Sequence, residues 1–209
     1  MEMSARRQVD VQVGDRQVAA NFAAPEEATG AVVVAGGPDR DAQLGRIAHD
    51  LREARLATLL LHVEPASSDE DPEAPTPERT AWEEARIAAA VDRLRQEPAA
   101  ADLPIGLFLQ GAAAAGGLRA APHLPVDALV CYNGRFALDG GDEGNVRGAP
   151  SLLLLDAEAA PQLGDENEAV RRALGERDEL QGLPAAFRSD EERLQEVVAI
   201  AVRWFDRHL

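Results

Sequence analysis

The sequence predicts an α/β fold in which a mostly parallel, doubly wound sheet carries helices on both faces and begins with an antiparallel hairpin. Residues 8–13 alternate polar and apolar with period two, and beyond residue 30 short apolar runs alternate with stretches of helical periodicity. Hydrophobic residues occupy 45% of the 209 positions, which is enough to build one sizeable core. We therefore expect a single domain over residues 1–209.

The hairpin is indicated by residues 8–13 and 17–22, which flank a Gly14-Asp15 turn. The five runs that follow are wholly apolar, as buried parallel strands are, because both faces of such a strand are covered. They are residues 31–35, 57–61, 105–109, 128–131 and 151–155. Parallel strands in this order require crossover helices between them.

Helical periodicity marks three amphipathic segments. The first apolar stripe consists of Leu44, Ile47, Ala48 and Leu51. The second consists of Trp82, Ala85, Ala89 and Leu94. The last helix is predicted to start at Ser189, whose hydroxyl caps it while Glu192 reaches back in a capping box. Its stripe consists of Leu194, Val197, Val198, Ala201 and Phe205.

One segment, residues 64–78, fits neither period. It is rich in proline and acidic residues and contains Ser67 and Ser68. We expect a solvated loop here, after the second parallel strand, which is either a lid over a site or an inert acidic insertion.

The charge balance argues against several kinds of partner. There are 37 acidic and 21 basic residues, and the resulting net charge of −16 repels phosphate backbones and anionic lipid, so we expect neither a nucleic-acid nor a membrane partner. Cys131 is the only cysteine, and the first twenty residues are polar and alternating, unlike a signal peptide. A cytoplasmic location is the expectation.

Ligands of open parallel sheets bind beyond the carboxyl ends of the strands, so the residues at those ends are the candidates for chemistry. In this sequence they are residues 35–37, His62, residues 109–113, residues 131–134 and residues 156–159.

Four segments carry a resemblance to a known family, together with the order of the predicted elements. The segments are ATLL at 57–60, ADLPIG at 101–106, GAPSLL at 148–153 and WFDRHL at 204–209. With them the chain resembles, from about Val9 to Leu209, bacterial dienelactone-hydrolase-like proteins, a branch of the α/β-hydrolase superfamily. It implies the α/β-hydrolase fold, with a G-x-S-x-G nucleophile elbow, an acid after a late strand and a histidine shortly before the last helix.

None of these three positions carries the expected side chain. The elbow corresponds to residues 109–113, which puts Gly111 in the nucleophile position, and a shifted alignment over 113–117 puts an alanine there. The acid position corresponds to Ala159 and the histidine position to Ala186. The departure of these positions from the family pattern therefore predicts neither a covalent acyl intermediate nor a general base.

An unorthodox site is the competing hypothesis. Cys131 is the most chemically capable residue left, and His62 and Asp156 lie at other strand ends. An isolated cysteine near a strand end is, however, typical of a core. Asp156 and Glu158 also lie close enough to the vacated acid position for a shifted loop to put either of them there.

Backbone N–H groups near the elbow are the remaining candidates. Gly36 and Gly37 follow the first parallel strand and, with Gln110 and Ala112, are the candidates for a pocket or an oxyanion-like site. The same glycines also suit a tight turn that needs a positive φ. No cysteine or histidine cluster has metal-ligand spacing and no phosphate or dinucleotide fingerprint is present, so we expect no metal and no cofactor.

The preferred interpretation is a pseudoenzyme that keeps the hydrolase scaffold and binds a small ligand or a protein partner. One alternative is an active ester or lactone hydrolase with the unorthodox site. The other is a structural or interaction subunit that works through its acidic surface. A histidine and a carboxylate converging on Gly111 would favour the enzyme.

The acidic, lysine-free composition has two explanations, coding bias and adaptation to high salt. The dependence of the melting temperature on salt concentration distinguishes them. If the charge of −16 is repulsion that salt must screen, about 1 M KCl raises the melting temperature relative to dilute buffer. Thermal unfolding followed by circular dichroism measures this effect. A flat or falling melting temperature contradicts adaptation to high salt.

Overall fold

The computed structural model describes residues 6–37, 41–62, 76–136, 148–156, 170, 177–184 and 187–209. The strands of this part of the chain are β1 (Arg7–Val13), β2 (Arg16–Ala23), β3 (Gly30–Ala35), β4 (Leu56–Leu61), β5 (Ile105–Gln110), β6 (Ala128–Tyr132), β7 (Ser151–Asp156) and β8 (Glu179–Leu183). They form one sheet in the order β1-β2-β4-β3-β5-β6-β7-β8. The β1–β2 and β2–β4 pairs are antiparallel and the other neighbours are parallel, which confirms the predicted sheet and its hairpin.

The helices of the described residues lie in two layers. Helices α1 (Asp41–Glu53) and α4 (Asp190–His208) cover one face of the sheet, and α2 (Pro77–Arg95) and α3 (Ala113–Ala120) cover the other. A short 3₁₀ turn, Ala121–His123, follows α3. The sheet separates two apolar clusters because successive side chains of a strand point to opposite faces. None of the described helices has the length and apolarity needed to cross a membrane.

Most elements lie where the sequence pattern predicts them. The five apolar runs fall within β3 to β7, and the predicted stripes of α1 and α4 are buried. Ser189 caps α4 by accepting a hydrogen bond from the Glu192 N–H at 3.2 Å. The Glu192 carboxylate accepts from the N–H of Arg188, one residue before the cap, at 2.7 Å, so the capping box is shifted by one residue.

Helix α2 differs from its prediction in two respects. Ala85 is exposed, and the buried face carries Glu83 and Arg86 as well as apolar residues. The helix also begins inside the predicted loop, because Thr76 caps it by accepting from the Arg79 N–H at 3.3 Å. Residues 76–78 therefore belong to the helix and its cap, and most of the predicted loop lies outside the described residues.

The buried side of α2 carries an ion pair that reaches the sheet. Arg86, which is 2% exposed, donates from Nε to Glu83 Oε2 at 2.9 Å. Its two terminal nitrogens donate to the carbonyl oxygens of Gly36 at 3.3 Å and His62 at 3.5 Å, which follow β3 and β4. Such a charge can be buried because its partners replace water. Arg86 thus joins α2 to the carboxyl ends of two neighbouring strands.

Helix α3 packs closely against its surroundings because it contains two adjacent glycines. A Cβ at Gly117 would lie 1.9 Å from Leu109 Cδ1, and a Cβ at Gly116 would lie 2.4 Å from the Cβ of Glu83. In the alignment that the resemblance predicts, Leu109 stands at the first glycine of the elbow motif. The small residue in this contact is therefore on the helix, and the large one is on the strand.

We expect Gly117→Ala to destabilise the protein by about 1–3 kcal/mol, because the added methyl group overlaps Leu109 and outweighs the better helix propensity of alanine. Urea unfolding measures the change. The matched control is Gly45→Ala in α1, where a Cβ meets nothing within 4 Å, and it should stabilise by about 0.5–1 kcal/mol.

The Leu109→Ala substitution tests the cause of that effect. Removing the leucine methyl groups makes room for the new Cβ, so the double variant Leu109→Ala/Gly117→Ala should be more stable than the sum of the two single effects. Additive effects would show that the contact between residues 109 and 117 is not what limits position 117.

Candidate functional site

The turn between β5 and α3 is where the resemblance expects a nucleophile. β5 ends at Gln110 and α3 begins three residues later. Gly111 lies in the turn with a φ of +60°, a conformation that is strained for residues with a side chain. Its N–H donates to the carbonyl of Tyr132 at 3.4 Å, and its own carbonyl accepts from the N–H of Arg135 at 3.1 Å. The strand-to-helix turn therefore belongs to the 109–113 alignment, and residues 113–117 of the shifted alignment lie in α3.

A cleft of about 470 Å³ opens at the carboxyl edge of the sheet, next to this turn. Its volume falls in the range of small-molecule sites. The ends of β5, β6 and β7 form one side, and the first turns of α1 and α4 form the other. The lining residues are Ala42, Gln43, Arg46, Gln110, Tyr132, Asn133, Asp156, Asp190, Glu191, Arg193 and Leu194. This is the edge at which open parallel sheets bind ligands.

Asp156, the last residue of β7, is held by two residues from the end of β6. Its Oδ2 accepts from the hydroxyl of Tyr132 and from the side-chain amide of Asn133, each at 2.8 Å. Asn133 Oδ1 in turn accepts from the Asp156 N–H at 2.9 Å. Asn133 has a φ of +46°, which is uncommon for a residue other than glycine, and these hydrogen bonds offset its strain. The carboxylate is therefore preorganised at the edge of the cleft.

Two buried acceptor atoms of the cleft lack hydrogen-bond partners among the described residues. One is the second carboxylate oxygen of Asp156, Oδ1, and the other is Gln110 Oε1. Gln110 is 4% exposed, and its amide nitrogen donates to Gln43 Oε1 at 3.3 Å. An unsatisfied buried acceptor is costly, so both atoms favour a bound group that donates hydrogen bonds.

The charged side chains of the cleft are paired with one another. Arg46 of α1 contacts Glu191 of α4, and this hydrogen bond lowers the pKa of Glu191 and raises that of Arg46. Arg193 Nη1 lies 3.8 Å from Asp156 Oδ2 and 3.8 Å from Asp190 Oδ1. Three carboxylates thus face two guanidinium groups, and each cation already has an acidic neighbour.

Of the four residues predicted to form a pocket or an oxyanion-like site, Gln110 alone is among the residues that line the cleft. Gln110 lines the cleft, whereas Ala112 is buried at the amino end of α3. Gly36 is buried after β3, and a Cβ there would lie 2.8 Å from Leu44 Cδ1 and 3.4 Å from the Cβ of Gln110. Its φ is not positive, so packing is what requires glycine at position 36. Gly37 is buried in the same segment.

The structure does not bring Cys131 and His62 together. Cys131 lies in β6 and His62 follows β4, three strand positions away, which corresponds to about 14 Å. Cys131 is fully buried in the cluster under α2 and α3, and burial raises the pKa of its thiol to about 12. His62 contacts Asn21, and its Nδ1 lies 3.4 Å from Asp41 Oδ2. Of the three residues of the unorthodox site, Asp156 alone lines the cleft.

The other histidines are also away from the cleft, and all four of the chain fall within the described residues. His49 and His123 are exposed. The ring of His208 lies against that of Trp204 with centroids 4.2 Å apart, and partial burial lowers the pKa of this histidine. None of the four lines the cleft, so it contains no imidazole base.

Ala159 and Ala186, the predicted acid and histidine positions, lie outside the described residues. Within the described part of the chain, no three or more His, Cys, Asp or Glu residues form a group that could hold a metal ion. Sequence analysis identified Asp156 and the end of β6 but missed the part played by Tyr132 and Asn133. The signal was present, because two polar residues follow directly on an apolar run.

The fold matches solved α/β hydrolases along nearly the whole chain. It is similar to a dienelactone hydrolase from Anabaena variabilis ATCC 29413, with a TM-score of 0.79 and 27% identity over 98% of both chains. The esterase domain of a Rhodothermus marinus protein gives a TM-score of 0.73 and 14% identity over 97% of this chain and 99% of that one. An α/β serine hydrolase without a lid from Xanthomonas campestris gives a TM-score of 0.71 and 14% identity over 97% of this chain and 94% of that one.

No protein-family model and no curated protein matches the sequence. The structural likeness confirms the predicted α/β-hydrolase fold, and the neighbours are dienelactone-hydrolase-like and esterase proteins. At 14% identity the likeness concerns the fold alone.

The geometry predicts an inert thiol. With the pKa of Cys131 at about 12, roughly one thiol in ten thousand is ionised at pH 8, and burial also blocks reagents. A disulfide reagent such as 5,5′-dithiobis(2-nitrobenzoate) should therefore label the folded protein at pH 8 at least a hundredfold more slowly than the protein unfolded in guanidinium chloride. Rapid labelling of the folded protein would contradict this burial.

Proposed function

We propose that this chain is a non-catalytic protein of the α/β-hydrolase fold that binds a small ligand in the cleft beside Asp156. The observation that carries the proposal is Gly111. It lies in the strand-to-helix turn with a φ of +60° and has no side chain with which to attack an acyl group. A hydrolase of this fold needs that nucleophile in order to form its acyl intermediate.

The absence of a base supports the same conclusion. No histidine lines the cleft, so a hydroxyl group there has no imidazole to take up its proton. The unorthodox hydrolase fares no better, because Cys131 and His62 lie on separated strands and the raised pKa of Cys131 keeps it protonated at neutral pH. The positions aligned with the acid and the histidine are alanines.

The cleft itself favours ligand binding over a purely structural role. An interaction subunit has no need of a carboxylate held in one orientation. It also has no need of buried acceptors without partners among the described residues, which lower the stability of the fold. A site that has lost its nucleophile but keeps such groups is suited to holding a polar molecule without transforming it.

The proposal predicts that the purified protein hydrolyses neither short p-nitrophenyl esters nor dienelactone above the rate of a buffer control. Gly111→Ser should also be inactive and should not react with a serine-directed phosphonate, because its hydroxyl has no base. Intact mass and initial rates measure both. The matched control is Gly111→Ala, which adds the same strain without the hydroxyl, and both variants should lose about 1–2 kcal/mol of stability.

The triple variant Gly111→Ser/Ala159→Asp/Ala186→His restores the three residue types at the positions that the resemblance assigns. We expect slow turnover at most, because the supporting contacts were not built around these side chains. Robust phosphonate labelling of Gly111→Ser alone would contradict the proposal, since a base must then already be present. Saturable turnover by the wild-type protein that Cys131→Ala abolishes would establish the unorthodox hydrolase.

A further inference from the structure

The bonding pattern of the cleft indicates what kind of molecule it accepts. Both buried atoms without partners, Asp156 Oδ1 and Gln110 Oε1, are acceptors, and no described residue of the cleft has a buried side-chain donor atom without a partner. A ligand that supplies N–H or O–H groups completes this pattern, whereas a ligand that offers only acceptors leaves both atoms unsatisfied.

The charges of the cleft favour a cation over an anion. Arg46 pairs with Glu191, and Arg193 lies between Asp156 and Asp190, so an anionic ligand has to compete with carboxylates for both guanidinium groups. The lining has one more carboxylate than guanidinium groups. The net charge of −16 acts in the same direction, because it raises the local concentration of cations and repels anions.

The preorganisation of Asp156 supports its use as a counter-ion. Tyr132 and Asn133 both donate to Oδ2, which fixes the carboxylate plane and leaves Oδ1 as the oxygen without a partner among the described residues. Asn133 has a positive φ, which costs asparagine less than most residues, and it donates to Oδ2 and accepts from the Asp156 N–H. Asp156 is therefore held through both its carboxylate and its backbone.

We propose that the cleft binds a small organic cation with N–H donors, an alkylammonium or an alkylguanidinium, with Asp156 as its counter-ion and Gln110 as a second acceptor. The proposal rests on the ligand-binding function proposed above and adds the chemical class of the ligand. A guanidinium group offers several donors in one plane, and an ammonium group offers three from one point, so either can satisfy two acceptors.

The test is calorimetric titration of the full chain at constant ionic strength with five probes. They are butylammonium, butylguanidinium, tetramethylammonium, 1-butanol and butyrate. The first two should bind saturably, and the other three should bind at least about tenfold more weakly. Tetramethylammonium carries the positive charge but has no N–H donor, whereas 1-butanol has an O–H donor but no charge. Weak binding of both shows that the cleft requires the two properties together. The relative affinities of the first two probes identify which cation class the cleft prefers.

Asp156→Asn is the informative variant, with an expected loss of about tenfold or more in affinity for the better cation. The matched control is Asp206→Asn, which removes the same charge from an exposed side chain near the other end of α4 that does not line the cleft, and its affinity should stay within about threefold. If Asp156→Asn fails to fold, Gln110→Leu removes the second acceptor and leaves the carboxylate network intact, and it should weaken binding several-fold.

Three results would overturn the inference. They are equal binding of tetramethylammonium and butylammonium, preference for butyrate, and no saturable binding of either N–H cation. Equal losses in Asp156→Asn and Asp206→Asn would also overturn it, since a general charge effect would then explain the affinity. Ester turnover measured on the same sample contradicts the proposed function, whereas absence of both turnover and cation binding contradicts the ligand class alone.

Discussion

The reversal from β5 into α3 positions much of the molecule around it. So short a turn requires a residue with a left-handed backbone, and Gly111 supplies it at no steric cost. The turn brings α3 close enough to the sheet for Gly117 to meet Leu109, and it sets the end of β5 from which Gln110 reaches the cleft. Through the Tyr132 carbonyl it also fixes the end of the neighbouring strand.

The cleft depends in turn on the register of β6 and β7. Tyr132 pairs with Leu154, which places its hydroxyl and the following Asn133 within reach of Asp156 two residues further along β7. A slip of one residue would turn Tyr132 towards the opposite face of the sheet and disperse the cluster. The same alternation explains why Cys131 cannot join Asp156, because adjacent residues of a strand face opposite layers.

Much of the fold could be predicted because its strongest signals are local. Wholly apolar runs mark β3 to β7, and the stripes of α1 and α4 follow the helical period. The strand β8 was missed because its side chains are mostly exposed and it has no apolar pattern. The buried face of α2 was misread at Ala85, because Glu83 and Arg86 interrupt the apolar period with an ion pair.

The site could be predicted only in part, for a physical reason. The strand-to-helix turn at Gly111 was readable, since the apolar run of β5 ends just before it. The cleft could not be predicted, because Gln43, Arg46 and Arg193 line it together with Asp156 but belong to helices far away in the sequence. Which acceptors lack partners is a property of that convergence, and no local pattern encodes it.

The guanidinium of Arg86 has a consequence for the order in which the protein assembles. Glu83 is three residues away and can pair with Arg86 in an isolated helix, but the carbonyls of Gly36 and His62 become neighbours only after β3 and β4 have paired. These two hydrogen bonds therefore depend on the β3–β4 pair, whereas the bond to Glu83 does not. Loss of the Arg86 side chain would therefore take a hydrogen-bond donor from both carbonyls, and it would weaken the junction of α2 with the two strands rather than the helix itself.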